Sequence, residues 1–386
     1  MNTISYPPPA DAIRRILVIK SRNIGDVLLT GPLISSLRAL YPHADITALV
    51  KAGTEEMLLD HPHLNQVIVY PSPYPNESQF GFRLRDLRWQ FGLRKFRFDM
   101  VINTTEGERG ALTARLSKAP IRVGWKLTRN TGWRRNLLTH PQVPKEGKRH
   151  TVIRNLDLLG IPADKQDRRV RLEFADADLS RVDTLLRVNG RRDDRPLAWV
   201  HPASRWFFKC WTAEGMSAVI EHLGKQGFDV VLTSGPDHRE RYQVRSIRDL
   251  CRCESGPIDL SGRLSLKETA ALAHRADLFF GVDTAPMHIA AAMDTPVVAL
   301  FGPSGTFDWG PWPNDWAGED TPYPLQHGVQ HAGSHTVIQK AWECAPCGKD
   351  GCNGTKKSRC LDELTPREVI PRLNAVLKQI LSNRES

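Results

Sequence analysis

Short runs of apolar and β-branched residues, ILVIK (16–20), ITALVK (46–51), QVIVY (66–70) and MVINT (100–104), alternate in the first half of the chain with longer amphipathic stretches. LAWVH (197–201), DVVLTSG (229–235), LFFGVDT (278–284) and PVVALFG (296–302) repeat the scheme in the second half. This alternation predicts βαβ units on parallel sheets, so the expected fold is α/β with two doubly wound domains and a cleft between them. The polar, charged stretch VNGRRDDRP (188–196) predicts a linker, placing one domain at 1–190 and the other at 191–386. LTPREVIPRLNAVLKQILSNR (364–384) predicts a terminal helix entered through Pro366 and marked by Pro371. By fold analogy, that helix is expected to pack back on the N-terminal domain.

Length agrees with this division, because 386 residues suit two cores of ordinary size. Charge adds a constraint on partners. The 53 Lys and Arg against 43 Asp and Glu leave a net +10, which suits an anionic partner such as a nucleotide, a phosphorylated glycan, nucleic acid or a membrane face. MNTISYPPPADAIRR has no apolar run behind its charges, and no later segment approaches the ~18 to 20 apolar residues of a membrane span. A cytoplasmic protein with at most peripheral membrane contact is expected. The odd total of seven cysteines, without a signal peptide, argues against a disulfide scaffold.

Candidate chemistry begins in VIKSRNIGDVLLTGPLISSLRALYP (18–42), where a strand breaks into a turn and a helix begins. Asp26 stands at that helix start. It could cap or neutralise the positive helix end, or it could serve as a catalytic base. In FFGVDTAPMHIAAAM (279–293), Asp283 and Thr284 lie at another helix start with Pro286 in the first turn, a pattern suited to binding pyrophosphate on exposed N–H groups. His288 follows about one turn later. Its ordinary alternative is a core histidine beside an Asp/Thr cap. HPASRWFFKCW (201–211) would bring Ser204, Arg205 and Lys209 to the same sheet edge, where a lysine supplies the charge a diphosphate leaving group needs. A basic surface loop is the alternative there. LTSGPDHRERYQ (232–243) offers Asp237 and Glu240, either of which could accept from a ribose diol or cap the next helix.

The chain contains no GxxxxGK[ST], no GxGxxG after its first strand, no GxSxG and no HExxH, which disfavours P-loop, nicotinamide, serine-hydrolase and zincin chemistry. Four stretches in order, VIKSRNIGDVLLTGPLISSLRALYP, HPASRWFFKCW, GRLSLKETAALAHRADLFFGVDTAPMHIAAAM and VVALFGPS, resemble the ADP-heptose:lipopolysaccharide heptosyltransferases over nearly the whole chain. The resemblance implies an inverting glycosyltransferase of GT-B architecture, with two Rossmann-like domains facing a central cleft. It implies that Asp26 is the general base and Lys209 the diphosphate partner. Ser204 would be a further phosphate contact, with Arg205 beside it in the donor site, Glu240 the ribose contact and Leu264 an apolar neighbour of adenine. Asp283 would hold heptose hydroxyls while Thr284, Ala285 and His288 line the diphosphate. No catalytic cofactor is implied. Three departures from the family pattern stand out. Ala285 replaces a common Gly, a one-residue gap leaves Asp237 as an alternative to Glu240, and Arg205 stands where a small hydroxyl residue is common in enzymes that add the first heptose.

CAPCGKDGCNGTKKSRCL (344–361) resembles the heptosyltransferase III branch, which adds a side-branch heptose, the third, to the second inner-core heptose. Addition to an earlier core acceptor, as by heptosyltransferases I and II, and a GT-B transferase using another nucleotide sugar are the alternatives. Cys344, Cys347, Cys352 and Cys360 could supply a tetrahedral set for structural zinc; reduced structural thiols or a redox disulfide are the other readings. FRLRDLRWQFGLRKFRF (82–98) interleaves Arg83, Arg85, Arg88, Arg94 and Lys95 with Trp89 and Phe91. It could lie on anionic headgroups, grip acceptor phosphates, or be a solvated basic face over an apolar core stripe. Arg94 and Lys95 are therefore acceptor candidates, and Lys126, Arg129, Arg134 and Arg135 form a second basic group. The family's acceptor places the enzyme peripherally at the cytoplasmic face of the inner membrane. A nucleic-acid-binding protein, the reading from another class, would concentrate charge on one recognition module; here Asp26, Lys209 and Asp283 fall at strand ends in two α/β domains.

Overall fold

The first apolar run becomes β1 (Arg15–Lys20), all but its first residue buried, and it pairs in parallel with β2 (Asp45–Lys51). The computed structural model describes residues 6–74, 77–128, 132–253 and 256–385. With β3 (Gln66–Tyr70), β4 (Met100–Asn103), β5 (Ile121–Trp125) and β6 (His140–Gln142), these strands form a parallel sheet of order β3-β2-β1-β4-β5-β6. Strand order reverses between β1 and β4. That reversal opens a crevice at their carboxyl ends, the usual ligand position in doubly wound sheets.

A second sheet is built around β7 (Leu197–His201), β8 (Asp229–Leu232), β9 (Ile258–Asp259), β10 (Leu278–Val282) and β11 (Val297–Phe301). An antiparallel pair, β12 (Gly328–Ala332) and β13 (His335–Gln339), completes the order β12-β13-β11-β10-β7-β8-β9. Every other pairing in this sheet is parallel, and the reversal falls between β7 and β10. Gly281 in β10 keeps those two strands close, since a Cβ there would stand 2.6 Å from the His201 carbonyl oxygen.

The chain divides into units Met1–Leu172 and Glu173–Ser386, eighteen residues before the boundary the sequence suggests. The cause is the helix Asp176–Val188. Its Val182, Leu185 and Leu186 are buried, and it is tied to the helix Leu266–Arg275 by Arg181–Glu268 and Arg275–Asp183 ion pairs of 2.5 and 2.8 Å. The polar stretch after it is a fastened turn rather than a linker, because Arg191 and Arg192 both bond the Asp229 carboxylate at the start of β8. The terminal helix, Pro366–Glu385, sends Val369, Leu373, Leu377 and Ile380 into the second unit's own core. Arg384 closes it with an ion pair to Asp277. Among the described residues, no helix is long and apolar enough to cross a membrane.

Two buried histidines give the second unit a pH-sensitive stability. Burial pushes His201 down to about 3 and His335 down to about 4, from an ordinary 6.5. Between those values and 6.5 the unfolded chain binds a proton that the folded chain refuses. Stability is therefore complete above pH ~6.5 and is lost as pH falls through that window, on the order of a few kcal/mol for each histidine. Thermal melts from pH 7 down to pH 4 should show a falling Tm, and the double variant His201→Gln/His335→Gln should flatten the slope.

Candidate functional site

In the first unit the reversal point holds a carboxylate and an ammonium. Asp26 lies in the first turn of the helix Ile24–Leu28, whose N-cap residue is Asn23. Its carboxylate is not spent on capping. Instead it faces Lys20 Nζ at 3.5 Å, with side-chain exposures of 14% for Asp26 and 7% for Lys20. Lys20 ends β1, and its Nζ also donates to the Thr104 carbonyl at 3.3 Å, just past the end of β4. Burial pulls the Lys20 amine below its ordinary value; the Asp26 charge and hydrogen bond oppose that, helped by Glu106 and countered by Arg22. A fixed carboxylate at a crevice, with its orientation held by one buried cation, can accept a proton from a hydroxyl brought to it.

In the second unit, residues after four neighbouring strands converge on the carboxyl edge. Lys209, in the 3-10 turn Phe207–Lys209 beyond β7, donates to the Asp283 carboxylate beyond β10 at 2.6 Å. Asp283 is 5% exposed. Burial alone would raise its carboxyl; the Lys209 charge and hydrogen bond, a Ser304 hydrogen bond and the charge of His288 outweigh that and hold it below the ordinary 3.8. His288 is buried within the helix Ala285–Ala292. Thr284 stands at the N-cap of that helix, but its hydroxyl donates back to the Val282 carbonyl at 3.3 Å. The helix N-terminus thus remains uncapped by that side chain, with Thr284 and Ala285 half-buried beside it.

The alternatives between Asp237 and Glu240 have distinct structural roles. Asp237 is the N-cap of the helix His238–Leu250, accepting from the Arg239 N–H at 2.8 Å, and this bond lowers its pKa. Glu240 is buried and folds back over the turn after β8, accepting from the Gly235 N–H at 3.0 Å. Gly235 leaves room for this contact, because a Cβ would stand 2.8 Å from the Glu240 carboxylate and displace it. Burial raises the Glu240 carboxyl above its ordinary value, against the Gly235 hydrogen bond and the charges of Arg205 and Arg239. Ser204 is buried and accepts from the Trp206 N–H, while Arg205 is exposed with its guanidinium over the Trp206 ring. Leu264 is half-buried just before the helix Leu266–Arg275.

Three residues escaped the sequence reading. Lys20 was visible as a lysine closing an otherwise apolar strand. Ser304, after β11, bonds Asp283, and Gln339 at the end of β13 fixes that turn by donating to the Gly302 and Ser304 carbonyls at 2.7 and 2.9 Å. Only the order of strands across the sheet brings those residues together.

The basic acceptor candidates are dispersed in role. Arg94 donates to the Leu116 carbonyl and covers the Phe91 ring, and Lys95 Nζ lies 5.1 Å from the Phe96 ring centre. Arg134 is paired with Glu108 at 2.7 Å, whereas Lys126 and Arg135 are exposed; Arg129 lies outside the described residues. The C-terminal thiols do not form the tetrahedral set. Cys344 and Cys347 are exposed, Cys352 is half-buried and Cys360 is buried, all as free thiols. Burial, then the neighbouring Cys352, Cys347 and Cys344, pushes Cys360 up to about 11. Among the described residues, no three His, Cys, Asp or Glu side chains converge to hold a metal ion.

Comparison with known proteins places this geometry in a lineage. The chain is 33% identical over 313 residues to lipopolysaccharide heptosyltransferase 3 of Escherichia coli, covering 78% of this chain and 88% of that protein. Solved structures share its fold over nearly the whole chain. A glycosyl transferase family 9 protein of Veillonella parvula superposes with a TM-score of 0.74 at 22% identity, covering 95% of this chain and 97% of the other. The ADP-heptose lps heptosyltransferase II of E. coli gives 0.69 at 24% identity, with 95% and 99% covered. The model of glycosyltransferase family 9 (heptosyltransferase) matches residues 87–318, from the first unit into the second, and the chain therefore belongs to that family of glycosyltransferases.

Proposed function

We propose that this enzyme transfers L-glycero-D-manno-heptose from ADP-heptose to the inner core of lipopolysaccharide, with inversion, adding the third heptose as a side branch on the second. The observation that carries the proposal is the Lys209–Asp283 pair at the strand reversal of the second unit. It joins a cation suited to a diphosphate with a carboxylate suited to sugar hydroxyls, beside an open helix N-terminus. The likeness to a lipopolysaccharide heptosyltransferase 3 supports the choice of acceptor.

Asp26 takes the proton of the acceptor hydroxyl as that oxygen forms its bond to the heptose anomeric carbon. The bond from that carbon to the ADP oxygen breaks on the opposite face, and the electron pair leaves with ADP. Positive charge developing on the ring is oxocarbenium-like, and Lys209 meets the negative charge growing on the diphosphate. Ser204 and the first turn of the helix Ala285–Ala292 hold phosphate oxygens, with His288 beside them. Glu240 accepts from the ribose and Leu264 borders the adenine. Lys20 orients Asp26 and is a positioning residue. We assign the work to the cytoplasmic face of the inner membrane, where the lipid-anchored acceptor is reached, with the exposed Lys126 and Arg135 among the groups available to its phosphates.

Incubating the protein with ADP-heptose and core lipopolysaccharides carrying no, one or two inner-core heptoses, then weighing the products, tests the reading. One heptose added only to the two-heptose core is expected. Addition to a shorter core would transfer the enzyme to an earlier step, and transfer only from another nucleotide sugar would overturn the donor.

A further inference from the structure

The helix Gln79–Gly92 is anchored by one side only. On its inner face Trp89 packs edge-on against Tyr70 at 5.0 Å, buried Gln90 donates to the Tyr70 hydroxyl at 3.2 Å, and that hydroxyl donates to Asp86. Arg85 is committed to Glu77 at 2.7 Å and to the Tyr74 ring. The outer face is different. Phe80, Leu84, Leu87 and Phe91 are 78, 44, 41 and 39% exposed.

Their spacing of four, three and four residues puts all four within a stripe about 60° wide, at about 100° of rotation per residue. This apolar stripe faces solvent rather than a core. Arg83 borders it on one side and Arg88 on the other, both exposed, and among the described residues no acidic side chain pairs with either. Exposed Lys95 extends the cationic border past the helix end. A second protein surface would have to supply both an apolar groove and a matched acidic rim on each flank. A bilayer of anionic lipids offers that pattern everywhere, with phosphates at headgroup depth and acyl chains just below.

We propose that the helix Gln79–Gly92 is an interfacial membrane anchor, lying in the plane of an anionic bilayer with Phe80, Leu84, Leu87 and Phe91 inserted between headgroups and Arg83 and Arg88 at the phosphates. The inference rests on the lipid-anchored acceptor proposed above only for the purpose of the contact. The test uses the full-length protein and needs no transfer assay, so a failure of the acceptor reading would leave its result standing.

The protein is sedimented with vesicles of phosphatidylcholine alone and of phosphatidylcholine mixed with phosphatidylglycerol. Binding to the mixed vesicles is expected, with little to the neutral ones. Phe80→Ser/Phe91→Ser should weaken that binding at least about tenfold, through lost apolar insertion. Arg83→Gln and Arg88→Gln should each weaken it about fivefold. Thermal melts of the variants should match the parent, since none of these side chains serves the core. Equal binding by the Phe80→Ser/Phe91→Ser variant would overturn insertion in favour of a purely electrostatic contact. A parent dimer in sedimentation velocity that dissociates in this variant would overturn the membrane assignment in favour of a second copy of the chain.

Discussion

Asp26→Asn should slow heptose transfer by about 10²- to 10⁴-fold, the range expected when a positioned base is removed. Donor affinity should be unchanged within about twofold, because every proposed donor contact lies in the second unit. Asparagine keeps the shape of the side chain and removes its basicity. It also leaves Lys20, 7% exposed, as a buried cation without its 3.5 Å partner. Stability should therefore fall by on the order of a few kcal/mol. Lys20→Met/Asp26→Asn separates the two effects: the orphan charge is gone, so the Tm should recover while turnover does not. Turnover near the parental rate in either variant would remove Asp26 from the chemistry. Lys20→Met alone, with Asp26 intact but unheld, should lower kcat while leaving the KM for ADP-heptose unchanged, a split that a purely structural lysine would not cause.

Lys209→Ala should lower kcat by about 10²- to 10³-fold, the usual cost of deleting an electrostatic contact to charge developing in the transition state. It should weaken ADP-heptose binding as well. The same change strands Asp283, whose low pKa depends on the lysine once burial has been overcome, so the folded protein should lose stability. Lys209→Ala/Asp283→Asn should restore the Tm, because an amide survives burial better than an unpaired carboxylate, and should leave transfer as poor as before. Calorimetric titration with ADP-heptose and with ADP then assigns the roles. Asp283→Asn should weaken the sugar nucleotide more than ADP if the carboxylate holds heptose hydroxyls; equal weakening would restrict it to orienting Lys209.

Much of this was legible in the chain because its strongest signals were local. Runs such as LAWVH and VVALF coincide with β7 and β11, both buried along their whole length, since a parallel strand covered on both faces must be largely apolar. The placement of Asp26 and Asp283 where a strand gives way to the start of a helix was legible because that succession is a local pattern. The short β9 and the β12–β13 pair were not, having two and five residues per strand and polar positions in most of them. Ser304 and Gln339 were hidden for another reason. Their importance depends on β11 lying beside β10 and β13 beside β11, a lateral order that no window along the sequence contains. The helix Asp176–Val188 misled the boundary because its three buried apolar residues show that it packs somewhere without showing on which core.

That helix has a practical consequence for dissecting the molecule. A C-terminal fragment starting at residue 191 would begin inside the Arg191–Asp229 clasp and lack the cover over the helix Leu266–Arg275. It should expose a greasy furrow and precipitate. One starting at residue 173 brings its own cover, retains the Glu173 carbonyl that receives Lys267, and is the shortest piece expected to stay in solution and titrate with the nucleotide.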